Sequence, residues 1–393
     1  MRVLEATDYM RICAAHYFTL TTLVFIACFL LLPSSKAVNN VFYIFLAVPA
    51  LGLLLLGRVP RPPVTALVGL WAAFFAWLVL SGVGADGQFF KHVVYTLLFC
   101  LVIWLWVDYQ RFARIGLFRV FFWSLIVYVS GSAVVFWLTG ALEVGARLYS
   151  LPGRMEGPIL TSMVIVCCFA LLLPQWLRQG CRVEMTVAVL AVLFCAGVVL
   201  QSRSGLLGLA VVLGVVWALM LWQGRWLQRA VLLLMAALLV GAGLWLLQHS
   251  ELAAELVIRG DSGRFELWYF YIRDWLDCGL LLGCGIGFTG DIRIEEGLLV
   301  EHPHNIFLAM GFYHGVPGLL LFTLIMLATL WQAWKKQDPW GGYLLIALFM
   351  LNFDGRELIS SPHEGWLLVL LPAMLIAARE RVETERGIKG GSR

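Results

Sequence analysis

A chain of 393 residues would ordinarily suggest two or three soluble domains, but 61% of this one is hydrophobic, only 13% is charged, and its mean hydropathy is +0.88. Soluble chains carry nearly twice that share of charge. The net charge of +4 is scattered over short segments between apolar runs, which excludes a water-soluble core and gives no footprint for nucleic acid.

Backbone polar groups in lipid must be satisfied within their own segment or in a closed barrel. These runs are too long and too uniformly apolar for barrel strands. The fold class is therefore an all-α integral membrane protein. The first sixteen residues are mixed (Arg2, Glu5, Asp8, Arg11), and many apolar runs follow, so the first run reads as a span and not as a cleaved leader. About twelve spans of roughly 20 residues are expected, at 17–33, 40–57, 64–82, 92–108, 116–138, 158–177, 184–200, 204–222, 228–248, 305–333, 342–353 and 365–378. The tenth is interrupted by Gly311, Gly315, Pro317 and Gly318 and reads as two half-helices.

With the N-terminus in the cytoplasm, 18 of the 28 Lys and Arg fall on the cytoplasmic side and 10 on the other, which puts both termini inside. Four regions follow: a nine-span region at 1–248, a periplasmic loop at 249–304, a three-span region at 305–378, and a cytoplasmic tail at 379–393, expected to fray. The long loop is rich in Trp, Phe, Tyr and Leu, so it is read as ordered. Most of the nine cysteines sit inside apolar runs as small hydrophobes. Cys278 and Cys284 lie in the long loop, where a disulfide is open to them but two thiols are expected.

The spans are nearly free of ionisable groups, which argues against ion-coupled transport. Polar chemistry gathers at one set of span ends. His304-Asn305 is followed after nine residues by Gly315-Val316-Pro317-Gly318. Such a spacing arises by chance roughly 0.005 times in a chain of this composition. Arg203 stands in a tight turn, Gln201-Ser202-Arg203-Ser204-Gly205, where a guanidinium either snorkels or binds phosphate. Arg264 opens an amphipathic stretch whose Phe265, Trp268, Ile272, Trp275 and Leu276 recur at helical spacing, with Asp261 or Ser262 as its cap. Its aromatic face is expected inward, with the helix along the membrane surface.

The His-Asn-x9-Gly-x-x-Gly pattern, an Arg in the position of Arg203 and the Arg264-x-x-x-Trp268 pattern resemble the O-antigen ligase family of membrane glycosyltransferases, best over residues 200–330. The first half shares the family's hydropathy pattern. The resemblance implies a GT-C-like membrane fold whose long periplasmic loop carries an interfacial helix, in the bacterial inner membrane. It implies transfer of a glycan from undecaprenyl diphosphate, as O-antigen donor, to lipid A-core, with membrane lipids around it and no cofactor or metal. His304 is then the base, and Arg203 and Arg264 hold the diphosphate. Arg147, Arg154, His302 and Asn305 are secondary candidates; loop charge or packing explains each about as well. A zinc site from His302, His304 and nearby carboxylates has no metal spacing to recommend it. Asp354, Arg356, Glu357, His363 and Glu364 are read as lining an acceptor path.

Gly283-Cys284-Gly285-Ile286-Gly287-Phe288-Thr289-Gly290 includes a literal G-x-G-x-x-G, but no strand precedes it, so the dinucleotide reading fails and flexible backbone is expected. In the family a Pro often precedes these glycines, where this chain has Cys278 and Gly279. An O-antigen polymerase, a protein O-oligosaccharyltransferase and a lipid-linked glycan flippase are the rival functions.

Overall fold

The computed structural model describes residues 2–60, 65–82, 85–155, 157–223, 226, 229–230, 263–286, 288 and 302–391. Among them there is helix and no strand. In chain order the helices longer than one turn are α1 (Arg2–Leu31), α2 (Ser35–Leu55), α3 (Ala66–Ser81), α4 (Gly87–Trp106), α5 (Ile115–Leu138), α6 (Pro158–Gln179), α7 (Arg182–Val199), α8 (Arg203–Gln223), α9 (Arg264–Cys278), α10 (Ile306–Lys335), α11 (Pro339–Asp354) and α12 (Leu371–Gly391), with a single turn, Tyr109–Phe112, between α4 and α5. A π-helical turn, Trp366–Leu370, leads into α12.

Eight of these helices are long and apolar enough to cross a membrane, which makes the chain a multi-pass membrane protein. The shorter apolar α3 and α11 and the start of α12 coincide with three more expected spans. The expected span 228–248 and most of the long loop fall outside the described residues. Starts are set by side-chain oxygens that accept orphan amides: Thr65 from Val68 N, Asp86 from Phe89 N, Asp338 from Trp340 N.

Helix α6 is the axis of the bundle, with 72% of its apolar window buried against α5, α8 and α11. Small residues bring the neighbours close. A Cβ at Gly205 would meet Ser162 Oγ at 2.6 Å, and one at Gly208 would meet Met350 Sδ at 2.3 Å. The Gly208–Met350 contact fixes a level. Going back along α8 from Gly208 reaches Arg203, and going forward along α11 from Met350 reaches Asp354, so both residues sit at one end of the bundle. At the opposite end the Asp338 carboxylate accepts from Tyr109 (2.8 Å) and pairs with Arg379 (3.2 Å), and Lys336 pairs with Glu383 (2.6 Å). These bonds tie the part of α12 around Arg379 and Glu383 to the connection between α10 and α11.

Helix α10 is broken at Gly315, whose backbone is non-helical (φ 72°, ψ 179°). Phe307 and Phe322 lie in ring contact at 5.5 Å. In a continuous helix fifteen residues would separate them by about 22 Å. The first half of α10 therefore doubles back along the second. The break releases backbone groups in apolar surroundings, and three of them are taken up from outside the helix. Cys284 N donates to Phe312 O (2.7 Å), Val316 N to Leu280 O (2.8 Å) and Trp77 Nε1 to His314 O (2.7 Å).

Two expectations about the segment before α10 are corrected. Cys278 and Cys284 form a disulfide, with Cα atoms 5.1 Å apart, and are not two thiols. The turn between them is pinned by the backbone bonds to α10, which brings the two sulfurs together. Gly283 is not loose backbone either: a Cβ there (φ +75°) would lie 2.5 Å from Phe312 O, while Gly287 and Gly290 fall outside the described residues. Gly285 (φ +74°), by contrast, has open space around it.

Gly315→Ala puts a Cβ at 1.9 Å from Leu281 O and an L-residue at φ +72°. The expected loss is on the order of 2–5 kcal/mol, read as a fall in thermal unfolding temperature in detergent. Gly285→Ala carries the dihedral strain alone and should cost about 1–2 kcal/mol. Equal effects at the two sites would argue against the packed break.

Candidate functional site

The sharpest feature is built where the start of α10 meets the end of α11. Asn305 caps α10, its Oδ1 accepting from Phe307 N and Leu308 N at 3.0 Å each. His304 immediately precedes the cap and sits at φ +52°, a left-handed conformation that histidine tolerates better than most residues. Gly355 follows α11; a Cβ there would lie 2.4 Å from Ile306 N, so only glycine lets the two helix ends abut. That approach sets the Asp354 carboxylate, 11% exposed, on His304 Nδ1 in a direct hydrogen bond.

His302 lies beside His304 with ring centroids 4.1 Å apart. Burial, and then the neighbouring His304 charge, push its pKa down to about 4, so it is neutral at pH 7. His302, His304 and Asp354 offer three ligand atoms within 4.8 Å of one another, a donor set of the zinc type. His304 Nδ1 and Asp354 bond each other directly, as in an imidazole oriented by a carboxylate.

Helix α9 holds this strand of chain in place. Trp268 Nε1 donates to Pro303 O at 3.0 Å, between the two histidines. Arg264 is four residues earlier, on the same helical face, in the first turn of α9. The expected caps Asp261 and Ser262 fall outside the described residues; Gly263, in the left-handed conformation, stands at the N-cap. The buried face differs from expectation in part. Trp275 points inward as expected, with Leu267 and Tyr271, onto Ala309, Phe312 and Tyr313, while Phe265, Ile272 and Leu276 are exposed. Helix α9 runs beside the first half of α10, with Trp275 against Gly311.

Arg203 begins α8 from a turn with little freedom. Gln201 is at φ +45°, Ser202 N donates to Ala196 O (2.8 Å), and Ser202 Oγ accepts from Gly205 N (3.2 Å) and bonds Ser162 Oγ (2.6 Å). Arg147 Nε donates to Leu200 O (3.0 Å), and its guanidinium lies over Tyr149, fastening the 139–157 loop over that turn. Arg154 pairs with Glu364 at 3.3 Å.

Of the residues singled out in the sequence, His302, His304 and Asp354 are brought into one cluster. Arg264 stands one helical turn from the Trp268 contact with that cluster, and Arg203 shares its end of the bundle. Asn305 serves the helix start, and Arg147 a backbone carbonyl. The pairing of Asp354 with His304 and the Trp268 anchor were missed. Neither has a local signal, because the partners are 50 and 35 residues apart.

No family model matches the chain. It is similar to a protein of Pseudomonas aeruginosa named O-antigen ligase, with 25% identity over 358 residues, 86% of this chain and 84% of that one. The resemblance to the O-antigen ligases is shown. It extends well beyond residues 200–330, into the first half, where hydropathy alone had suggested it.

The cap role of Asn305 separates it from chemistry. Asn305→Ser or Asn305→Asp should keep stability, and Asn305→Ala should cost about 1 kcal/mol, read by thermal unfolding. A loss of stability in all three alike would contradict the cap assignment.

Proposed function

We propose that this protein is an O-antigen ligase. It transfers a glycan from undecaprenyl diphosphate to lipid A-core on the periplasmic face of the inner membrane, with about twelve spans and both termini cytoplasmic. The observation that carries this reading is the His304–Asp354 pair at the mouth of α10, in a chain similar to an O-antigen ligase along most of its length. The orientation rests on the excess of Lys and Arg on the opposite side. The Cys278–Cys284 disulfide beside the site agrees, since such bonds persist on the oxidising side of the membrane.

The chemistry is a single inverting displacement. Asp354 accepts from His304 Nδ1–H, which leaves Nε2 as the basic nitrogen. Nε2 takes the proton of the acceptor hydroxyl as its oxygen bonds to the anomeric carbon. The bond from that carbon to the diphosphate oxygen breaks, and the electron pair leaves with the diphosphate. Arg203 and Arg264 hold the departing group and stabilise the charge it gains. Fixed guanidiniums do this without a divalent cation.

Reconstitution with polyprenyl-diphosphate glycan and lipid A-core, in the presence of a chelator, should yield ligated glycolipid. His304→Ala, Arg203→Ala and Arg264→Ala should abolish the product while insertion stays intact. Asp354→Asn should lower turnover by about 10²-fold or more. Full activity in well-folded His304→Ala would remove the base. Lipid movement without a new glycosidic bond would favour a flippase, and loss of product with the chelator would revive the zinc reading.

A further inference from the structure

The segment between α11 and α12 holds a second charged cluster beside the base. Glu364, 1% exposed, is met by Arg154 at 3.3 Å and by Arg356 at 3.5 Å. Arg154 also donates to Pro362 O at 3.4 Å, and its side chain is 12% exposed. One guanidinium is enough to neutralise a buried carboxylate. The second is in excess over Glu364 itself; the nearby Asp354 carboxylate is turned to His304 Nδ1, and buried His363 is held neutral, chiefly by burial and then by the two arginines.

Arg356 is the open side of this cluster. One of its nitrogens reaches Glu364 at the long end of hydrogen-bond range, and 42% of its side chain is exposed. Arg154 Nε is enclosed and meets no acceptor among the described residues. Two donors are therefore oriented by a shared carboxylate, with bonding capacity left over. A pair kept only for stability would leave neither an enclosed donor unanswered nor its second cation at the surface.

The position of the cluster says which substrate it faces. Arg356 is two residues beyond Asp354, whose carboxylate bonds His304 Nδ1. In an in-line displacement the entering hydroxyl and the leaving diphosphate lie on opposite sides of the anomeric carbon. A guanidinium on the base side is therefore placed for the acceptor and not for the leaving group.

We propose that Arg356, held by Glu364 and seconded by Arg154, binds an oxyanion, phosphoryl or carboxylate, on the glycolipid that presents the acceptor hydroxyl. This rests on the transferase reading above. It makes the substrate class an acidic glycolipid, recognised next to its reacting hydroxyl.

The test uses full-length protein and three acceptors: lipid A-core with its phosphates, the same molecule dephosphorylated, and the same molecule with its sugar carboxylates reduced. Arg356→Gln should raise the acceptor KM about 10-fold or more, with the donor KM unmoved and with Arg356→Lys recovering part of the loss. The acceptor that lacks the recognised oxyanion should bind wild type and Arg356→Gln alike, since the interaction it would lose is already gone. A shift in donor KM, or an equal wild-type advantage on all three acceptors, overturns the assignment. Direct binding of the three glycolipids without donor gives the same comparison if wild type performs no transfer. Equal binding by wild type and variant then sinks this proposal separately from the transferase reading. Should Arg356→Gln fold poorly, wild-type binding that is indifferent to both modifications overturns it just as well.

Discussion

Everything at the site depends on how the chain satisfies its backbone where α10 breaks. An interrupted helix in apolar surroundings leaves amides and carbonyls without partners, each costing several kcal/mol if unmet. Here Leu280, Cys284 and Trp77 supply those partners from outside the helix. The 279–283 turn can do so because Gly283 and Gly315 let two backbones touch, and the Cys278–Cys284 disulfide closes that turn onto α9. With the break satisfied, the first half of α10 can fold against the second, with Phe307 on Phe322.

The fold-back explains why the conspicuous sequence features occur together. The glycine pair of the His-Asn-x9-Gly-x-x-Gly pattern makes the bend and its close packing: Gly315 against Leu281, Gly318 against His314 and Trp77. The asparagine starts the helix that returns from the bend. The histidine, one residue outside that start, then meets the end of α11. Trp268 holds the same stretch from the α9 side, which gives the Arg-x-x-x-Trp spacing a physical meaning: the tryptophan positions the histidine loop and the arginine is carried one turn away.

The membrane class and most helices were legible in the sequence because long apolar runs have no other stable form in lipid. The break at Gly315 was legible from its glycines and proline, but its angle was not, because that depends on contacts from α3 and the 280–284 turn. Asp354 looked like one acidic residue among several at a span end; only the fold-back singles it out. Asn305 was grouped with the site candidates and its cap role missed, because a capping side chain and a reactive one give the same local signature. The inward face of α9 was only partly assigned, Trp275 correctly, because Phe265, Ile272 and Leu276 repeat at helical spacing just as Leu267 and Tyr271 do with Trp275. Periodicity identifies such a helix without choosing between two apolar faces.

The most direct measurement is the distance between the two halves of α10 in the membrane. Cysteines in place of Phe307 and Phe322, in protein inserted in bilayers and treated with a short bismaleimide, should become cross-linked within one chain, as mass spectrometry of the peptides would show. Two cysteines that both react singly but never join, as expected for sites about 22 Å apart on a continuous helix, would contradict the fold-back and with it the meeting of His304 and Asp354.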